Sequence, residues 1–128
     1  MRSIRVMIVD DFEGMRKLIE QCLRAAGLQI DEVLEAENGR EALLALRNTP
    51  VDLILCDINM PKMDGLELLK NLRQSPQTKD TPVVMVSGDG MESRVVAALK
   101  AGAGGFIRKP FSPEQVKERV LPLLANLA

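Results

Sequence analysis

Five polar side chains stand directly after short apolar runs of the chain, and their types suit metal and phosphoryl chemistry. Asp10 and Asp11 follow the first run, Asp57 the third, Ser87 the fourth and Lys109 the fifth. Each residue alone has an ordinary structural role at a turn, a helix start or a solvated surface. Together they supply three carboxylates, one hydroxyl and one amine, which are groups that bind a divalent cation and phosphoryl oxygens.

The composition narrows the chemistry further. The 128 residues include no His, which removes imidazole metal sites and His acid–base catalysis. With 17 Lys and Arg against 18 Asp and Glu, the net charge of −1 indicates neither a nucleic-acid nor a membrane partner. Cys22 and Cys56 lie in apolar stretches and are expected to be buried, reduced thiols of a cytoplasmic protein. The first apolar run is too short for a signal peptide or a membrane span.

Strands and helices that position these side chains are predicted to alternate along the chain. Short apolar runs predict strands, and apolar residues three and four positions apart predict helices. Strands are predicted at residues 4–9, 33–36, 51–56, 83–86 and 106–107. Helices are predicted at residues 15–26, 39–48, 66–73, 91–101 and 113–127, with a break near Pro122 in the last one. No linker-like stretch appears, so a single domain is expected over residues 1–128, with no further module.

The alternation predicts a parallel sheet with helices on both faces, which is a doubly wound, flavodoxin-like three-layer α/β fold. The first, third and fourth runs are almost wholly apolar and are therefore central strands. The second run contains Glu35 and the fifth is short, which suits edge strands and gives the order 2-1-3-4-5. Ligands bind this fold beyond the carboxyl ends of the strands, so the five polar side chains are predicted to converge there.

Three carboxylates in one pocket repel one another. At an effective dielectric constant near 20, two unit charges ~5 Å apart repel by roughly 3 kcal/mol. A bound cation, or raised pKa values of the carboxyl groups, must therefore reduce this repulsion. Oxygen ligands suit Mg²⁺, whose remaining waters leave room for a phosphoryl oxygen. A carboxylate is then the candidate nucleophile. The spacing favours Asp57 only weakly over the Asp10–Asp11 pair.

Four motifs in order resemble the receiver domain of bacterial two-component response regulators, and the resemblance covers essentially all of the chain. They are Ile-Val-Asp-Asp at residues 8–11, Ile-Leu-Cys-Asp-Ile-Asn-Met-Pro at 54–61 with Met-Asp-Gly at 63–65, Val-Met-Val-Ser-Gly at 84–88, and Gly-Ala-Gly-Gly-Phe-Ile-Arg-Lys-Pro-Phe at 102–111. The segments around residues 9–16 and 59–70 particularly resemble stand-alone chemotaxis regulators of the CheY type.

This resemblance implies that Asp57 accepts a phosphoryl group from a histidine kinase. It implies a Mg²⁺ site formed by Asp10, Asp11 and Asp57 with the backbone carbonyl of Asn59. Asn59 and Asp89, both short and polar, are expected to flank the site and to give a short-lived phosphoryl group.

The remaining implied roles concern switching. Ser87 would be the switch hydroxyl, in place of the commoner Thr, and Lys109 would pair with the phosphoryl group. The peptide bond before Pro110 would be cis, and Phe106 would be the rotameric switch aromatic, although Phe lacks the hydroxyl of the Tyr that many relatives carry. Helix 4, strand 5 and helix 5 would form the output surface of a monomer.

Two other functions are left open. One is a metal-dependent phosphohydrolase that uses an aspartyl phosphate, although such enzymes typically show an Asp-x-Asp motif and a cap domain. The other is an adaptor with the same fold that acts without phosphorylation. Within the receiver interpretation the chain is not an enzyme, and its downstream partner is a flagellar motor switch protein, a histidine phosphotransfer protein or a separate output protein.

Overall fold

The computed structural model describes residues 3–88 and 92–127. Within these residues strands and helices alternate as predicted. The strands are β1 (Ile4–Val9), β2 (Ile30–Ala36), β3 (Leu53–Cys56), β4 (Val83–Ser87) and β5 (Gly105–Arg108). The α-helices are α1 (Glu13–Ala25), α2 (Gly39–Asn48), α3 (Gly65–Gln74), α4 (Glu92–Lys100) and α5 (Pro113–Val120), and a 3-10 helix, Leu121–Leu127, follows α5.

The strands form one parallel sheet in the order β2-β1-β3-β4-β5, which confirms the predicted order. β1 pairs with both β2 and β3, so Val9 lies between Ala36 and Cys56 at the carboxyl edge. The next residues continue this arrangement, because the backbone N–H of Asp57 donates to the carbonyl of Val9 at 2.9 Å. Two strand ends that bear carboxylates are therefore neighbours at the switch point of the sheet.

Two strands begin two or three residues from the predicted position, and the other strand ends lie within one residue of it. β2 begins at Ile30 rather than at residue 33, because Ile30 pairs with Ile4 and an edge strand tolerates the exposed Asp31 and Glu32 that follow. β3 begins at Leu53 rather than at residue 51. The side chain of Asp52 accepts a hydrogen bond from the backbone N–H of Arg5 at 2.9 Å.

Helix ends follow from local chemistry. Ser112 and Gln115 form a complete capping box at the start of α5. Asn38 and Asp64 cap α2 and α3, each by accepting a hydrogen bond from the third helical residue. The α-helical part of the last helix ends at Val120, two residues before Pro122, which confirms the predicted break.

Apolar side chains form a separate core on each face of the sheet. Cys22 contributes to one core and Cys56 to the other, and both are buried free thiols, as predicted. In the part of the chain that the structure describes, no helix is both long enough and apolar enough to cross a membrane.

Candidate functional site

Three carboxylates meet at the carboxyl edge of the sheet. Asp10 and Asp11 follow β1 and Asp57 follows β3, and one oxygen of each lies within 4.8 Å of one oxygen of each of the others. Asp10 and Asp57 are buried, whereas Asp11 is exposed. The predicted convergence of these side chains is confirmed, and the group is accessible from the side of Asp11.

Asp10 is held in place through three of its oxygens. Its Oδ1 accepts a hydrogen bond from the backbone N–H of Phe12 at 2.9 Å, and its Oδ2 accepts one from Nζ of Lys109 at 3.0 Å. Its backbone carbonyl accepts a third from Nη1 of Arg16 at 2.7 Å. The carboxylate therefore has a fixed orientation before any ligand arrives.

Lys109, which follows β5, bridges two of the carboxylates. Its Nζ lies 3.0 Å from Oδ2 of Asp10 and 3.5 Å from Oδ2 of Asp57. One ammonium group thus relieves part of the repulsion expected among three carboxylates. It does so at the same place where a phosphoryl group on Asp57 would need a cation.

Asp57 is harder to ionise than an ordinary aspartate. Burial raises its pKa above the ordinary value, and the nearby charge of Asp10 raises it further. The ammonium of Lys109 and the N–H of Asn59, which donates to Oδ1 of Asp57 at 3.3 Å, act in the opposite direction. A divalent cation would favour the ionised, nucleophilic form.

The predicted switch residues lie on β4 and β5. Ser87 is fully buried at the end of β4, and its carbonyl accepts a hydrogen bond from the backbone N–H of Lys109 at 3.0 Å. Phe106 is half-buried on β5 and lines a groove of about 350 Å³ between α4 and α5, with Val95 and Glu118 among its walls. The Lys109–Pro110 peptide bond is cis.

The donor set fits a hard divalent cation. The ligand atoms that the three aspartates offer to a metal are carboxylate oxygens, and none is the nitrogen or sulfur that zinc prefers. Asn59 is exposed, and its backbone N–H donates to Oδ1 of Asp57, so the residue lies beside the acidic group. Asp89, the other predicted flanking residue, lies outside the described residues.

Sequence reasoning missed two arginines at this site. Arg16 is a buried charge that ion-pairs with Glu35 at 2.8 Å. The sequence feature that could have identified it is its position three residues before Ile19, which places a charge on the apolar face of α1. Arg94 lies in the first turn of α4. Its Nη1 donates to Oδ1 of Asn59 at 2.8 Å, a contact for which the sequence carries no local signal.

This fold and this acidic site define the class of small α/β signalling domains that are similar to CheY. The model of the response regulator receiver domain family matches residues 6–121, and the chain belongs to that family. A chemotaxis protein CheY homolog of Campylobacter jejuni is 41% identical over 96% of this chain and 94% of its own length. CheY1 of Helicobacter pylori is 38% identical over 96% of this chain and 98% of its own length.

Solved structures agree with this assignment. A crystal structure of a response regulator from Chloroflexus aurantiacus superposes with a TM-score of 0.88 at 36% identity, covering 97% of this chain and 99% of that one. The chemotaxis protein CheY4 of Vibrio cholerae gives a TM-score of 0.84 at 33% identity, covering 96% and 100%. The chain is therefore a receiver domain of the CheY type, a class of phosphoacceptor signalling proteins that receive a signal from a histidine kinase and act on a downstream target.

Proposed function

We propose that this protein is a cytoplasmic response regulator whose Asp57 accepts a phosphoryl group in a reaction that depends on Mg²⁺. The observation that carries the proposal is the group of three carboxylates within 4.8 Å, with Lys109 lying between Asp10 and Asp57. Such a group offers a nucleophile, a cation site and a countercharge in one place.

In the proposed step, a carboxylate oxygen of Asp57 attacks the phosphorus of a phosphohistidine on the kinase. A P–O bond forms while the P–N bond breaks, and the imidazole, protonated on its other nitrogen, leaves with the P–N electron pair. With acetyl phosphate as donor, a P–O bond breaks instead and acetate leaves. Mg²⁺ held by Asp10, Asp11, Asp57 and the carbonyl of Asn59 would neutralise charge on the phosphoryl oxygens.

Lys109 and Ser87 would then bind the phosphoryl group on Asp57. The ammonium of Lys109 lies 3.5 Å from Oδ2 of Asp57 and would pair with a phosphoryl oxygen. The hydroxyl of Ser87, at the end of the neighbouring strand, would donate to another. Contacts made only in the phosphorylated state shift the population toward an active arrangement.

The proposed output is a contact with a partner protein through α4, β5 and α5, where Phe106 lines the groove. The names of the Campylobacter and Helicobacter relatives favour a chemotaxis pathway. A flagellar motor switch protein is the proposed target in such a pathway. A histidine phosphotransfer protein and a separate output protein are the alternatives. Capture of partners on immobilised protein, with and without beryllofluoride, separates these three, and the protein is expected to act as a monomer.

Covalent labelling tests the acceptor. Wild-type protein incubated with acetyl phosphate and Mg²⁺ should gain the mass of one phosphoryl group, and Asp57→Asn should gain none. Asp64→Asn is the matched control, because Asn also caps a helix and Asp64 only caps α3. Labelling of Asp57→Asn at the wild-type rate would reject Asp57 as the acceptor. Wild-type labelling that persists in excess EDTA would reject the metal requirement.

A further inference from the structure

Arg94, in the first turn of α4, places a positive charge at the rim of the acidic site. Its Nη1 donates to the side-chain oxygen of Asn59 at 2.8 Å. The backbone N–H of Asn59 in turn donates to Oδ1 of Asp57 at 3.3 Å. A single residue therefore links the guanidinium to the carboxylate proposed as the acceptor.

The charge balance of the site makes a rim cation significant. Asp10, Asp11 and Asp57 are three carboxylates, and the ammonium of Lys109 is already shared between Asp10 and Asp57. A phosphodonor is itself an anion and must approach this negative pocket. A guanidinium fixed at the rim adds positive charge that attracts the donor at long range.

We propose that Arg94 attracts anionic phosphodonors to Asp57, and that the side chain of Asn59 holds the guanidinium in position. This inference rests on the proposed function, because it assumes that Asp57 is the acceptor. It assigns a role in donor recognition to a residue of α4 and to the side chain of Asn59, separately from the carbonyl of Asn59.

The sign of the electrostatic effect distinguishes this role from a structural one. A positive charge at the rim attracts a phosphodonor and repels Mg²⁺. Removing it should slow phosphorylation while leaving Mg²⁺ affinity unchanged or higher. A substitution that instead disrupts the loop around Asn59 should lower both the rate of phosphorylation and the affinity for Mg²⁺.

The experiment compares wild type, Arg94→Gln, Arg94→Lys and Asn59→Ala with the control Arg47→Gln. Arg47 is an exposed arginine near the C-terminal end of α2, so its substitution makes the same change in net charge away from the site. The second-order rate of phosphorylation by acetyl phosphate is measured by mass spectrometry at saturating Mg²⁺ and at low and high ionic strength. Mg²⁺ binding is measured by titration calorimetry, since the chain has no Trp or Tyr to report it by fluorescence.

Arg94→Gln should lower the rate roughly threefold to tenfold at low salt, and the difference should disappear at high salt. Arg94→Lys should restore most of the rate, Asn59→Ala should lie between Arg94→Gln and wild type, and Arg47→Gln should stay near wild type. An unchanged rate or salt dependence in Arg94→Gln would overturn the inference, as would a parallel loss of Mg²⁺ affinity. A wild-type protein that binds no Mg²⁺ and takes no phosphoryl group would instead reject the proposed function, and this inference with it.

Discussion

Gly65 allows α3 to start directly against the backbone that carries Asp57, and its replacement by Ala tests that close approach. A Cβ at this position would overlap the backbone carbonyl oxygen of Asp57 and would lie 2.9 Å from Cα of Ile58 and 2.8 Å from Cε of Met85. The Met85 side chain can move, but the two backbone atoms cannot move without displacing the end of β3. The N–H of Gly65 also donates to the carbonyl of Ile58 at 2.8 Å, which fixes the spacing.

Overpacking of this kind costs typically about 1–3 kcal/mol. Replacing Gly by Ala in a helix returns about 0.5–1 kcal/mol. The net expectation for Gly65→Ala is a loss of roughly 1–2 kcal/mol in the free energy of unfolding, and a fall of roughly 4–10 °C in Tm for a domain of this size. Phosphorylation by acetyl phosphate should also slow, because the displaced atoms belong to Asp57 and its neighbour.

Gly14→Ala is the matched control, because Gly14 also lies in the first turn of a helix. The three atoms nearest to a Cβ there all belong to the ring of Phe12, the first at 3.0 Å, and Phe12 is 66% exposed and free to move aside. Gly14→Ala should therefore gain up to about 0.5–1 kcal/mol. Urea unfolding followed by far-UV circular dichroism measures both variants, and a Gly65→Ala protein as stable as Gly14→Ala would refute the reasoning.

Three further variants test the electrostatics of the site. Burial raises the pKa of Asp57 above its ordinary value of 3.8, so the folded state binds this proton more tightly than the unfolded state does. The stability that the protonated carboxyl contributes is therefore lost as pH rises from the unfolded pKa through the raised pKa of the folded state. Asp57→Asn should therefore have a higher Tm than wild type at pH 7 without metal, and thermal scans should show that gain shrinking toward pH 4; a constant gain would contradict the assignment. Arg16→Met removes the buried donor to the carbonyl of Asp10 and should cost about 1–3 kcal/mol in urea unfolding. Glu35→Gln, on a side chain that is 40% exposed, should change stability by less than about 1 kcal/mol, and an equal loss in both variants would place the effect in the ion pair instead.

Strand order and the location of the site could be predicted because both depend on short-range patterns. A run such as β3, apolar throughout, must lie inside the sheet, whereas Glu35 in β2 and the shortness of β5 require edges. Parallel strands end at one edge, so Asp57 and Lys109 could be placed at the same edge of the sheet. Boundaries were less predictable, since β2 extends to Ile30 through pairing with β1 rather than through its own composition.

The sequence by itself therefore determined the fold, the edge of the sheet that carries the site and the residue types gathered there. Only the tertiary structure decided which partner each charged group has. Lys109 bridges Asp10 and Asp57 although it is 99 residues from Asp10 in the sequence, and Arg94 on α4 reaches Asn59 in the loop after β3. Periodicity is set by the local backbone, but a contact of 3 Å between distant side chains depends on how all the intervening elements pack, and no local pattern encodes that distance.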